Sequence, residues 1–267
     1  MKHQSNILAL KYRPLNFQDL IGQEYLVETI QKSIQQNKIP NAYIFTGIRG
    51  VGKTTTARIV AKMLNCTVFD KNNNPDLINC EQAKAITEDR HPDVIEIDAA
   101  SNTSVENARE IIENVKYNPV LGKYKVYIVD EVHMLSKSAF NALLTTLEEP
   151  PPHSKFIFAT TEISKVPITI LSRCQRFDLR RVEKKTLSDF LKSIAKKEDI
   201  TISNEALNLI VKASDGSVRD SLSILDQANI FKSQKEIQVE EIINMLGFAK
   251  QSDLYELSKC IFDNNLS

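Results

Sequence analysis

The sequence predicts an α/β fold: a doubly wound, mainly parallel five-stranded sheet, followed by a smaller all-helical domain. Three observations predict it. Through the first 180 residues, short apolar runs at 42–45, 94–97, 125–129, 155–159 and 175–179 alternate with segments of helical spacing, and strands separated by helices pair in parallel. Beyond about residue 180 the strands stop, and residues 186–198, 204–213, 217–231 and 239–246 carry 3.6-period apolar spacing. Glycine is scarce, seven in 267 residues, yet Gly47, Gly50 and Gly52 fall within six positions. Glycines gathered so tightly mark backbone that other residues resist adopting.

The elements follow in order. Residues 22–37 place Leu26, Ile30 and Ile34 at helical spacing, and after Pro40 the run Ala42-Tyr43-Ile44-Phe45 reads as a buried strand. A helix runs from Lys53 to Leu64. Residues 67–81, rich in asparagine and containing Pro75, are a loop by composition. Val94 to Ile97 is the second strand, 104–115 a helix and Lys125 to Val129 the third strand. Ser136 to Glu149 is a helix ended by Pro150-Pro151-Pro152. Lys155 to Ala159 and Gln175 to Leu179 complete the sheet. Residues 1–179 are therefore expected as one domain and 180–248 as a second, with 249–267 opening a third.

Composition excludes several classes. Lys and Arg number 34 and Asp and Glu 34, a formal charge of zero, so the chain does not bind nucleic acid on net charge alone. No run of 18 apolar residues exists to span a membrane. The N-terminus offers only Ile7 to Leu10 before Lys11, too short for a signal-peptide core. Four cysteines are too few for a disulfide scaffold. A soluble protein of the reducing cytoplasm is expected.

The glycine cluster carries chemistry. Gly47-Ile48-Arg49-Gly50-Val51-Gly52-Lys53-Thr54 fits G-x-x-x-x-G-K-[ST] between a predicted strand and a predicted helix. Glycines turn backbone N–H groups into an anionic cradle, and the helix start adds partial positive charge. Arg49, Val51 and Thr55 lie in the same loop and first helical turn. Lys53 is expected on the β- and γ-phosphates and Thr54 in a Mg²⁺ shell. An apolar strand ending in Asp130-Glu131 sets two carboxylates at the sheet's carboxyl edge, where doubly wound folds bind ligands. Asp130 is expected to orient Mg²⁺ and Glu131 to polarise an attacking water. Thr161, just past the fourth strand, is placed to hydrogen-bond that water or the γ-phosphate, although a β-branched strand end entering a turn explains it nearly as well.

Further segments carry a resemblance: Lys11-Tyr12-Arg13-Pro14, Ile21-Gly22-Gln23, Asp98-Ala99-Ala100-Ser101, Asp130-Glu131-Val132-His133-Met134-Leu135, Asn141-Ala142-Leu143-Leu144, Leu147-Glu148-Glu149-Pro150-Pro151 and Leu171-Ser172-Arg173-Cys174. With the phosphate loop, these resemble the clamp-loader branch of the AAA+ P-loop ATPases, from about residue 7 to about 248. The resemblance implies a nucleotide-binding sheet domain and a helical lid. It also implies a ring-shaped assembly that uses ATP and Mg²⁺ to open a sliding clamp and release it on primed DNA. Partners so implied are the other clamp-loader subunits, the clamp and, through the assembly, primer–template DNA; no membrane is involved. Tyr12, Arg13 and Pro14 would border the adenine. Arg173 would complete a neighbour's site in trans, a task suited to an always-charged planar guanidinium, and Arg219 would meet the γ-phosphate from the lid.

The chain also departs from that pattern. Relatives carry a four-cysteine zinc module; here Cys66 and Cys80 remain, with Ala83 and Ile86 at the next positions. Even with His91 there are too few ligands for a closed site, so no zinc and two free thiols are expected. Thr145 stands where relatives usually have a lysine, and Asn102 and Ser104 where they are often basic. Ser267 falls barely into the collar domain through which such subunits assemble. A truncated copy that holds ATP as a structural subunit, with little turnover of its own, is the alternative reading. A DExH-type helicase also fits Asp130-Glu131-Val132-His133, with Ala159-Thr160-Thr161 as a loose second box. That class needs a second sheet domain, and only about ninety helical residues follow the first. His133 is expected to support its neighbours rather than to react. Leu187, Phe190, Leu191 and Ile194 read as lid core, and the pairs Lys184-Lys185 and Lys196-Lys197 as solvated helix faces.

Overall fold

A computed structural model describes residues 7–70, 75–101, 105–232 and 235–248, together with Tyr255 and Lys259. In chain order the elements are α1 (Leu8–Lys11), α2 (Glu24–Gln35), β1 (Ala42–Thr46), α3 (Lys53–Asn65), α4 (Glu81–Thr87), β2 (Val94–Asp98), α5 (Val105–Val115) and β3 (Lys125–Asp130). There follow α6 (Lys137–Glu148), β4 (Ser154–Thr160), α7 (Ile168–Leu171), β5 (Gln175–Asp178), α8 (Lys184–Lys197), α9 (Asn204–Ala213), α10 (Val218–Phe231) and α11 (Val239–Leu246). The five strands form one parallel sheet in the order β2-β3-β4-β1-β5.

The central strands are buried on both faces, which is why they read as unbroken apolar runs. Tyr43, Phe45, Val126, Ile128 and Ile157 point to one face, where Ile30 of α2 and Ile59, Val60 and Leu64 of α3 close over them. Ile44, Tyr127, Val129, Phe156 and Phe158 point to the other, against Phe140, Leu143 and Leu147 of α6. Register aligns the carboxyl ends: Thr46 sits opposite Thr160 and Asp178, and Asp98 opposite Asp130. Polar strand ends thus gather on one edge of an apolar sheet.

Helix α3 runs through this core and takes cations with it. Arg58 makes a two-pronged ion pair with Glu96 of β2, at 2.5 and 2.7 Å. Lys62 is 4% exposed, and its Nζ donates to the Leu15 carbonyl oxygen at 3.3 Å. Burial, then repulsion from Arg58 and Arg13, lowers its pKa from 10.5 to about 8. Between those two values the unfolded chain binds more protons here than the folded chain, so stability rises with pH through that window. Lys62→Met, which keeps the length and drops the charge, is expected to gain about 1 kcal/mol at pH 7. Melting temperatures of the two proteins should converge as pH rises from 8 to 10.5. A variant less stable than the parent at pH 7 would mean that the contact with Leu15 outweighs the cost of burial.

Two compact units divide the chain, Arg13–Arg181 and the residues on either side, through Tyr12 and from Val182. The boundary expected at 179/180 therefore falls two residues later, and α1 belongs with the helical unit, not the sheet. Leu8 is buried there, and its N–H donates to Asp226 of α10 at 3.4 Å. Helices α9 and α10 of this unit begin on side-chain caps. Ser203 accepts from the Ala206 N–H and Ser217 from the Asp220 N–H, each at 3.2 Å. Leu187, Leu191 and Ile194 are buried as expected, while Phe190 is half-buried. Among the described residues no second sheet, of the kind a DExH-type helicase needs, follows the first. Three short helices were not legible in advance: α1, α4, which closes the asparagine-rich excursion, and α7. No helix among the described residues is long and apolar enough to cross a membrane.

Candidate functional site

The glycine loop joins β1 to α3 through left-handed backbone. Gly50 has φ 79° and Gly52, the N-cap of α3, has φ 101°. Gly47 is excluded from substitution by space as well, since a Cβ there would lie 2.7 Å from the Leu179 carbonyl oxygen. The N–H groups of Gly50, Val51 and Gly52 donate to no other group among the described residues. At the start of a helix such unpaired donors make an anion cradle. Lys53 opens α3, is 6% exposed, and donates from Nζ to the Ile48 carbonyl oxygen at 3.0 Å. Burial lowers its pKa, while the nearby Glu131 and Asp130 carboxylates oppose that shift.

Beside this loop stand the ends of β3 and β4. Thr54 Oγ1 donates to Asp130 Oδ2 at 2.5 Å, and Asp130 Oδ1 accepts from the Glu131 N–H at 2.9 Å. Glu131 takes a left-handed φ of 46°, turning the chain sharply off the strand. Its Oε2 accepts from the Thr161 N–H at 3.0 Å and the Thr161 hydroxyl at 2.9 Å. Adjacency of β3 and β4 makes this contact possible across 30 residues of chain. A hydroxyl and a carboxylate oxygen in contact are hard donors of the kind magnesium takes.

The structure thus brings Lys53, Thr54, Asp130, Glu131 and Thr161 to one edge. Arg13 joins them from the N-terminal side, with Nε donating to Thr55 Oγ1 at 3.2 Å. Pro14 is half-buried, and Arg49 is exposed at the loop tip. Tyr12 lies in the helical unit, where its hydroxyl bonds to Glu198. Burial first, and then Glu198, raises the Tyr12 pKa to about 12. Arg219 is exposed in the first turn of α10, also in the helical unit. Arg173 follows α7 and is tied within the sheet unit, to Glu148 at 2.5 Å and the Thr169 carbonyl oxygen at 2.7 Å.

Comparison with known proteins bears on this arrangement. A family model described as DNA polymerase III, delta subunit, matches residues 22–183. Another, described as DNA polymerase III clamp loader subunit, ATPase lid domain, matches residues 186–234. The chain is 43% identical over 259 residues to the DNA polymerase III subunit gamma of Buchnera aphidicola subsp. Schizaphis graminum, covering 97% of this chain and 70% of that one. This chain belongs to the DNA polymerase III clamp-loader family. It is also 47% identical over 241 residues to the tau/gamma subunit of Haemophilus influenzae, covering 90% of this chain and 35% of that protein. The chain therefore spans about a third of that relative's length. Among solved structures, the Thermotoga maritima RuvB Holliday junction branch migration motor matches with a TM-score of 0.65 over 94% of this chain and 79% of that one. At 17% identity what the two share is the AAA+ fold.

Set against the clamp-loader pattern, Cys66 and Cys80 are buried free cysteines that pack with Ala83 and Leu77. Burial, and then the neighbouring Cys80, pushes the Cys66 thiol up to about 12. Burial also resists ionisation of Cys80, but hydrogen bonds from Cys66 and from backbone N–H groups outweigh it and lower that thiol. Among the described residues no three His, Cys, Asp or Glu side chains come together as metal ligands. Thr145 is exposed on α6. Asn102 and Ser104 lie outside the described residues. Sequence reasoning passed over Thr160, which is fully buried at the end of β4, and the contacts of His133 that depend on it.

Proposed function

We propose that this chain is an ATP-hydrolysing motor subunit of a DNA polymerase III clamp loader, acting in the cytoplasm to load the sliding clamp onto primed DNA. The observation that carries the proposal is the convergence of a buried lysine, a hydroxyl–carboxylate pair and a second carboxylate on one sheet edge, in a chain of this family. Lys53 and the N–H groups of the loop hold the nucleotide phosphates. Thr54 and Asp130 suit a magnesium ion, which when bound neutralises charge on the phosphate oxygens. Glu131 orients and deprotonates the attacking water, and Thr161 holds that carboxylate in place. Arg13 and Pro14, with Tyr12, border the base. In an assembly, Arg173 leaves Glu148 and Thr169 and reaches a neighbouring subunit's phosphates, and Arg219 reports nucleotide state from the lid.

A second reading is favoured by the bonds of Arg173 and Glu131 within the chain itself, which suit a subunit that holds nucleotide without turning it over. Mg·ATP binding and turnover by the purified chain separate the two, measured alone and with the other clamp-loader subunits, clamp and primed DNA. Stimulated turnover that returns to the unstimulated level in Arg173→Ala, with binding retained, is expected of the motor. Binding without any stimulated turnover would replace it with the nucleotide-holding subunit.

A further inference from the structure

His133 lies within this edge and has no part in the chemistry above. After the sharp turn at Glu131, a single 3₁₀ turn over Val132–Met134, closed by the Met134 N–H on the Glu131 carbonyl oxygen at 2.8 Å, folds the ring back over the end of β4. The side chain is only 6% exposed, yet its surroundings are polar. Nδ1 lies 2.9 Å from Thr160 Oγ1 and 3.4 Å from Glu131 Oε2, and Nε2 lies 3.4 Å from Glu162 Oε1. Thr160 is anchored in turn, since its Oγ1 accepts the Glu162 N–H at 3.0 Å. Glu162 is itself paired with Lys165 at 2.8 Å.

We propose that His133 is a positioning residue for Glu131, fixing which carboxylate oxygen faces the nucleotide. The inference rests on the reading of Glu131 as the base. Three groups crowd the same oxygen, Oε2: the Thr161 N–H, the Thr161 hydroxyl and His133 Nδ1. Oε1 meets none of them and is left to take a proton. Without the ring, a carboxylate on a flexible stem held only by Thr161 can rotate and exchange its oxygens. With it, rotation is blocked on the β4 side by a buried ring whose Nδ1 is held against the Thr160 hydroxyl. A group held this way reacts from one geometry, and small losses of alignment cost rate more than affinity.

The test compares His133→Leu, His133→Asn and His133→Gln in the stimulated ATPase assay and by amide NMR of Thr161, whose N–H reports its bond to Glu131. Asparagine puts an amide near the Nδ1 position, whereas glutamine reaches toward Nε2. Expected is a fall in kcat of about 10-fold for His133→Leu with KM for Mg·ATP within about two-fold, a shifted Thr161 amide, and recovery of most of both by asparagine. Glutamine should recover less than asparagine. Equal losses in all three variants would overturn the proposal in favour of simple packing, as would a leucine variant that keeps its rate and its Thr161 shift. If the unmodified chain turns over no ATP, the assignment of Glu131 as base fails. The Thr161 shift then decides the tether by itself, including in the asparagine variant should leucine fail to fold.

Discussion

Glu131→Gln is expected to slow ATP turnover by between about 100- and 10,000-fold, the usual worth of a positioned general base, while nucleotide binding survives. Glutamine has the same shape, and its carbonyl oxygen can still accept from the Thr161 N–H and hydroxyl that now meet Oε2. What it cannot do is take a proton from water. Binding should persist because Lys53, the loop N–H groups and the Thr54–Asp130 pair are untouched. Charge makes one adjustment: Glu131 is among the carboxylates that resist the fall in the Lys53 pKa, so its loss leaves that lysine supported by Asp130. Single-turnover rates with Mg·ATP, set beside an equilibrium binding titration, check the prediction. A rate within about ten-fold of the parent would show that the water loses its proton elsewhere, because a true base is worth more than that.

The sequence announced this edge better than it announced what supports it. Strands β1, β3 and β4 were legible because both faces of each are buried, which forces consecutive apolar residues. The loop was legible because only glycine fits the left-handed positions at 50 and 52 and the close approach at 47. Thr54, Asp130 and Glu131 then followed from their places at a helix start and a strand end. What stayed hidden depends on pairs distant in the chain. Tyr12 meets Glu198 across 186 residues, so α1 joins the helical unit although it precedes the sheet. His133 and Thr160 meet across 27 residues, through a strand order that no local pattern reveals. Lys62 looks like an ordinary solvated helix residue until α3 is buried around it. Helix α4 is too short for its apolar spacing to stand out against the polar stretch before it.

Asp93 is a further residue of this hidden kind, and Asp93→Ala is expected to cost about 3 kcal/mol, the mark of a buried group whose partners are left unpaired. The carboxylate is fully buried just before β2. Oδ1 accepts the Val120 N–H and Oδ2 accepts those of Leu121 and Gly122, each at 2.7 Å. Desolvation works against its charge, but these three donors outweigh it and lower the pKa. From the other side, Asn65 exchanges two hydrogen bonds with the Tyr124 backbone, at 2.8 and 2.9 Å, and leaves no room for a side chain at Gly122. The segment between α5 and β3 is therefore pinned while Val120 and Leu121 turn their side chains outward, 76% and 60% exposed. Alanine removes the acceptor and strands three N–H groups. Asparagine keeps one oxygen but turns an NH₂ toward a donor, so it should recover little. Because the folded pKa lies below the unfolded value of about 3.9, the contribution is present at neutral pH and is lost as pH falls through the folded value. The difference between parent and variant should accordingly narrow in acid. Urea unfolding at pH 7 and at pH 3, with hydrogen exchange at Val120, Leu121 and Gly122, tests both parts. Exchange at those three amides is expected to quicken by about 100-fold at pH 7, the equivalent of the 3 kcal/mol. An Asp93→Ala protein that loses under about 1 kcal/mol would mean that water replaces the carboxylate at all three donors, and that this segment is held by Asn65 instead.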